Sequence, residues 1–155
     1  WAISILALDV DHFKQINDEF GHLTGDEAIT EIGALLREKA RAGDVVARTG
    51  GEEFAILAPE TDEVGAAHLA DRILHAFRTR TFGSVRGRMP ITISIGVASG
   101  QAGTEDVVRT LSARADEALY VAKRNGRDQS VLWKTGLRAF EGGGTRLLRE
   151  FERPL

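Results

Sequence analysis

Val45-Val46-Ala47-Arg48-Thr49-Gly50-Gly51-Glu52-Glu53-Phe54-Ala55-Ile56-Leu57 sets two short apolar runs around a pair of glycines and a pair of acids. Adjacent glycines between runs of strand character predict a hairpin, since both can adopt the positive φ of a tight turn. The expected elements are a strand over Val45–Arg48, a turn at Gly50-Gly51 and a strand over Phe54–Leu57 closed by Pro59. The acids are the unusual part. Like charges at a hairpin tip raise the energy unless a cation offsets them. Hard carboxylate oxygens suit Mg²⁺, which keeps several waters and shares its shell with phosphates. The glycines also leave backbone amides open to a ligand. A solvated hairpin with incidental acids is the simpler account, and another acid nearby in the fold decides between them.

Toward the N-terminus, Ala2–Leu8 is an apolar run of strand character ending at Asp9. Phe13, Ile16 and Phe20 lie at helical spacing over residues 11–20, and Gly21 stops that helix. Thr24-Gly25-Asp26 opens a longer helix with an inward stripe of Ile29, Ile32, Leu35 and Leu36, running to about Arg41. Toward the C-terminus, Thr61 or Asp62 caps a helix that buries Leu69, Ile73, Leu74 and Phe77. A loop over Arg80–Arg88, a strand over Ile91–Ala98 and a turn at Gly100–Gly103 follow. The next helix starts at Thr104 or Glu105, buries Val108, Leu111, Ala115, Leu119 and Ala122, and ends at Asn125-Gly126. Ser130–Trp133 is the last strand. The order β-α-α-β-β-α-β-α-β predicts an α+β fold, a mostly antiparallel five-stranded sheet flanked by helices. Residues 1–134 form the expected domain, and residues 135–155, with Gly142-Gly143-Gly144, an extension or linker.

With 155 residues, 43% of them apolar and 28% charged, the chain can bury one core. A net charge of −3 argues against a nucleic-acid partner, which requires a basic surface, but leaves room for a nucleotide held by a few basic residues at one pocket. The absence of cysteine excludes disulfides and thiolate metal sites and points to a reducing cytoplasm. No apolar run is long enough to cross a bilayer, so direct membrane contact is not expected. A start within a strand at Trp1 reads as a piece of something longer.

Asp9-Val10-Asp11 stands where ligands of sheet proteins tend to bind, at the carboxyl end of a strand. Only one of the two acids is expected to face a given pocket; the plainer reading makes Asp11 a helix cap and Asp9 a solvated turn residue. Lys123 and Arg127, in Lys123-Arg124-Asn125-Gly126-Arg127, either complement a helix dipole or grip phosphates, Lys as a point charge and Arg as a fork. Metal ligands together with phosphate donors are the equipment of phosphoryl-type transfer. His12 and His22 read as turn-packing and structural residues, Phe54 and Tyr120 as core.

Five separated motifs resemble, in order, the GGDEF family of diguanylate cyclases. They are Asp9-Val10-Asp11-His12-Phe13-Lys14-Gln15-Ile16-Asn17-Asp18, Gly21-His22-Leu23-Thr24-Gly25-Asp26-Glu27, Arg48-Thr49-Gly50-Gly51-Glu52-Glu53-Phe54, Ser94-Ile95-Gly96-Val97 and Ala115-Asp116-Glu117-Ala118-Leu119-Tyr120-Val121-Ala122-Lys123. The resemblance implies the fold shared with adenylate cyclase catalytic domains and polymerase palms. It implies synthesis of cyclic di-GMP from two GTP, with Asp9, Glu52, Glu53 and the Val10 carbonyl holding two Mg²⁺ ions, or Mn²⁺ in their place. Asn17 and Asp26 match the residues that bind the guanine edge, where a carboxylate can accept from N1–H and the exocyclic amine. Lys14, Lys123 and Arg127 match phosphate contacts, Gly50 and Gly51 the surface on which the nucleotide lies, and Glu52 the group best placed to assist deprotonation. Two copies must meet face to face, so a homodimer is the implied active unit. Arg41 and Asp44 match the RxxD site at which cyclic di-GMP inhibits, with Arg72 as a secondary contact. Glu52 for Asp is an accepted variant of the hairpin motif. Thr49 and Asp128 replace residues more often aromatic and Asn, and the Asp-x-Leu-Thr-Gly-Leu-x-Asn-Arg segment that usually precedes the first strand is not in the sequence. The alternative is a module that binds cyclic di-GMP as a sensor without appreciable synthesis.

Overall fold

The computed structural model describes residues 1–83, 87–103 and 105–134. The expected extension over 135–155 lies outside the described residues. The elements are β1 (Ala2–Val10), α1 (Phe13–Phe20), α2 (His22–Lys39), β2 (Val45–Arg48), β3 (Glu53–Pro59), α3 (Glu63–Thr79), β4 (Ile93–Gln101), α4 (Val107–Arg124) and β5 (Ser130–Leu132). They build one five-stranded sheet in the order β2-β3-β1-β4-β5. β4 and β5 run parallel, and the other neighbours run antiparallel. The expected α+β architecture is the one observed.

β1 lies at the centre because its side chains serve two layers. Leu6, Leu8 and Val10 join the core beneath α2 and α3, whereas Ile3, Ile5 and Ala7 face the cluster formed with Leu111, Ala115 and Leu119 of α4. A strand covered on both faces reads as a continuous apolar run, which is why Ala2–Leu8 shows no alternation. α4 sits unusually close to the sheet. A Cβ on Gly96 would lie 2.0 Å from the Ala115 carbonyl oxygen and 2.2 Å from the Leu119 nitrogen. α3 begins at Asp62, whose carboxylate accepts from the Gly65 amide at 2.9 Å, as the sequence predicts. No helix among the described residues is long and apolar enough to cross a membrane.

Several boundaries differ from expectation for identifiable reasons. β1 continues through Asp9, paired with Glu53 and Ser94, and Val10, paired with Ile93. β3 runs to Pro59 because Ile3 pairs with it. α2 starts at His22, directly after a Gly21 with φ of 87°, and places Gly25 inside the helix. β4 starts at Ile93, after an isolated bridge between Phe82 and Met89, and runs to Gln101. Phe54 is buried, but Tyr120 is 46% and Val108 48% exposed, so neither is core. Ala118 and Val121, off the predicted stripe, are buried.

Candidate active site

The β2–β3 hairpin and the end of β1 meet at one edge of the sheet. Asp9 pairs in register with Glu53 on one side and Ser94 on the other. The Val10 amide donates to the Glu52 carbonyl at 3.0 Å and locks the hairpin tip to β1. Lys123, from the last turn of α4, donates to Asp9 Oδ2 at 2.6 Å. Asp9 is thus a buried acid with an ammonium partner, not a solvated turn residue. Burial pushes its carboxyl above the ordinary range; Lys123 draws it back, and Glu53 and Asp11 add to the rise. Glu52 is also raised, first by burial, then by the Asp9 and Glu53 charges, against the pull of Lys123. Asp116, seven residues before Lys123 on α4, is raised by burial and by Glu53. A cavity of about 260 Å³ opens among Glu53, Asp116, Tyr120, Lys123 and their neighbours.

These shifts describe carboxyls withdrawn from water and set near other acids. Among the described residues no three acidic or imidazole side chains stand close enough, as arranged, to hold a metal ion. The donor chemistry nevertheless fits a hard divalent cation, since Asp9, Glu52 and Glu53 bring carboxylates to one edge of the sheet.

The hairpin differs from the expected turn. Neither Gly50 nor Gly51 is among the positive-φ glycines of the described residues, which are Gly21, Gly83, Gly103 and Gly126. The loop is wider than a two-residue turn: both the Thr49 and the Gly50 amides donate to the Glu53 carbonyl. Arg48 closes it, with Nε on the Gly50 carbonyl at 3.1 Å and a terminal nitrogen on that of Gly51 at 2.8 Å. Gly50 answers space instead of φ. A Cβ on Gly50 would meet Glu53 Oε2 at 2.8 Å, and one on Gly51 would point into open space.

Asn17 and Asp26 flank the α1–α2 junction. A Cβ on Gly25 would lie 1.8 Å from Asn17 Oδ1, so the glycine exists to admit this amide. That oxygen is buried and has no hydrogen-bond partner. Asp26 and Lys14 are solvent-facing. Asp11 does not cap α1. The helix starts from His12, in the left-handed region at φ 56° and exposed instead of packed. The Asp11 carboxylate accepts from Thr92 Oγ1 at 2.7 Å, Ser94 Oγ at 2.6 Å and the Asp128 amide at 3.0 Å.

The family model for the diguanylate cyclase GGDEF domain matches residues 2–129 of the chain. The chain belongs to the GGDEF domain family. Among relatives, it is similar to the response regulator PleD of Caulobacter vibrioides, with 43% identity over 131 residues, covering 83% of the chain and 29% of PleD. The GGDEF domain thus spans under a third of that curated relative. It is also similar to the active GGEEF domain of a diguanylate cyclase from Vibrio cholerae, with a TM-score of 0.77 and 35% identity over 86% of this chain and 83% of that one. The GGDEF domain of DgcB from Caulobacter crescentus in complex with c-di-GMP gives a TM-score of 0.77 and 33% identity, covering 84% of this chain and 77% of that one.

The RxxD residues of this GGDEF domain lie beyond the other end of β2. The Arg41 amide donates to Asp44 Oδ2 at 2.8 Å, and the Asp44 amide donates to the Arg41 carbonyl at 3.0 Å. Arg72 reaches the Lys39 carbonyl at 3.4 Å, which brings its guanidinium to the same end of α2. Sequence reasoning left Asp116 and Arg48 without site roles and gave Gly25 only a place at the opening of a helix. The seven-residue spacing from Asp116 to Lys123 puts both on one helix face and could have found the first. Nothing local marks the other two.

Proposed function

We propose that this domain condenses two GTP into cyclic di-GMP and two pyrophosphates, as the active half of a symmetric dimer. The observation that carries the reading is the convergence of Asp9, Glu52 and Glu53 at the locked hairpin, with Lys123 donating to the buried Asp9 carboxylate. The relatives named as diguanylate cyclases support it.

In this reading the 3′-oxygen of one GTP bonds to the α-phosphorus of the other as the bond to pyrophosphate breaks. A second, equivalent reaction closes the ring. Asn17 and Asp26 orient guanine, the Asp26 carboxylate accepting from N1–H and the exocyclic amine, a donor pair adenine lacks. Gly51 leaves the hairpin open to the nucleotide, and Lys14, Lys123 and Arg127 grip phosphate oxygens. Asp9, Glu52, Glu53 and the Val10 carbonyl would hold Mg²⁺, two ions per site or Mn²⁺ in their place. Such ions neutralise the triphosphate and lower the pKa of the attacking hydroxyl. Glu52 is the group placed to assist deprotonation of that hydroxyl. Each domain holds one GTP, so the second must come from a facing copy.

A fusion that enforces pairing, given GTP and Mg²⁺, is expected to release cyclic di-GMP and pyrophosphate. A paired protein that binds GTP without turnover would overturn this reading. The second reading, a cyclic di-GMP sensor, is favoured by the Arg41–Asp44 turn with Arg72 beside it. The same site serves product inhibition when the domain is active.

A further inference from the structure

The chain leaves α4 through three consecutive residues of positive φ: Gly126 at 109°, Arg127 at 64° and Asp128 at 47°. Glycine accepts this region freely, but side chains disfavour it, and neighbouring non-glycine residues stay there only when their surroundings over-determine them. Arg127 and Asp128 are held in that way. Arg78, in the last turn of α3, places Nε on Asp128 Oδ1 at 3.1 Å and a terminal nitrogen on the Asp128 carbonyl at 2.8 Å. The Asp128 amide donates to the buried Asp11 carboxylate at 3.0 Å. Gln129 Nε2 donates to the Asn125 carbonyl at 2.9 Å and to the Arg127 carbonyl at 3.0 Å, and the Arg127 amide donates to the Ala122 carbonyl at 3.0 Å. All these tethers grip backbone, or the Asp128 side chain. Among the described residues none takes the exposed Arg127 guanidinium.

The Arg78–Asp128 pair is half exposed, and such pairs contribute little to folding. What the pair does fix is the direction of the chain at one residue. We infer that Arg78 and Asp128 are positioning residues for Arg127, holding its backbone so that the guanidinium is presented to the nucleotide phosphates. Asp11 anchors the same loop to the end of the strand that carries Asp9, so phosphate grip and acidic edge share one frame. The inference rests on the reading of Arg127 as a phosphate contact.

A double-mutant cycle tests it, with the affinity for GTP in Mg²⁺ measured by calorimetry. Arg127→Ala is expected to weaken binding about tenfold, and Arg78→Ala about three- to tenfold. In the Arg127→Ala background, Arg78→Ala should then change affinity by less than about twofold, because the residue it positions is gone. Asp128→Gly, which keeps the backbone conformation and removes the side-chain tether, should behave as Arg78→Ala does and covers the case in which that variant folds poorly. If Arg127→Ala weakens GTP binding but Arg78→Ala and Asp128→Gly do not, the positioning role is wrong and the phosphate reading stands. Equal losses from Arg78→Ala in both backgrounds would likewise overturn it, by showing a general structural effect. An Arg127→Ala variant with unchanged GTP affinity overturns both.

Discussion

The two ends of strand β2 hold charged residues in opposite states. Beyond Arg48, the carboxyls of Asp9, Glu52 and Asp116 are lifted above their ordinary range by burial and then by neighbouring acids, Glu53 acting on all three, with Lys123 among them. Before Val45, Arg41 and Asp44 close on each other through a backbone turn, and Arg41 faces solvent. The fold imposes a charge imbalance at the first end and none at the second. A ligand that supplies cations relieves the first end, whereas a ligand at the second only replaces water. The ends should therefore answer the same perturbations differently.

The largest separation is expected from Glu52→Gln. In an enforced dimer it should cut cyclic di-GMP synthesis by at least about 100-fold, while cyclic di-GMP binding measured by calorimetry stays unchanged. Synthesis near the wild-type rate would break the comparison by showing that the imbalance serves no chemistry. Gly25→Ala comes next. Its methyl group must displace the Asn17 amide and should lower GTP affinity about tenfold. In an Asn17→Ala background the same change should have little further effect; a full second loss would mean that Gly25 shapes something other than Asn17. Arg41→Ala should weaken cyclic di-GMP binding about tenfold and relieve inhibition, with the melting temperature almost unmoved, as for most surface substitutions.

The smallest expected effect is in the pH dependence of the metal-free protein. A carboxyl whose folded pKa is raised binds protons more readily folded than unfolded, so stability falls as pH rises through its folded range. Melting temperature should accordingly rise modestly as pH is lowered from neutral toward the ordinary carboxylate range, below which the gain is complete. Glu52→Gln should flatten part of that slope, whereas Arg41→Ala should leave it intact. An unchanged slope in Glu52→Gln would show that the imbalance lies elsewhere.

The fold was legible because its strands and helices are marked by local composition. The unbroken apolar run of β1, the stripe of α2 and the Asp62 cap each state their element within a few residues. The acidic edge was also legible, because acids beside glycines in a hairpin carry an electrostatic cost visible in sequence. What escaped depends on contacts distant in sequence. The partners of Asp11 come from Thr92, Ser94 and Asp128, 81 to 117 residues away. Tyr120 is exposed and lines the cavity at the acidic edge, a placement that helical periodicity does not encode. Gly50 was misread for a related reason: its value lies in the space beside Glu53, and spacing alone could indicate only a turn.

Gly96 bears on all of this from outside the pocket. Because α4 rests on bare backbone there, the thickness of the sheet beneath the helix is set by a missing side chain. Adding a single carbon would raise the helix by about 1 Å, a displacement large enough to spoil a reacting geometry. Lys123 rides on that helix, so the gap between ammonium and carboxylate at the far edge is calibrated by a residue that touches neither.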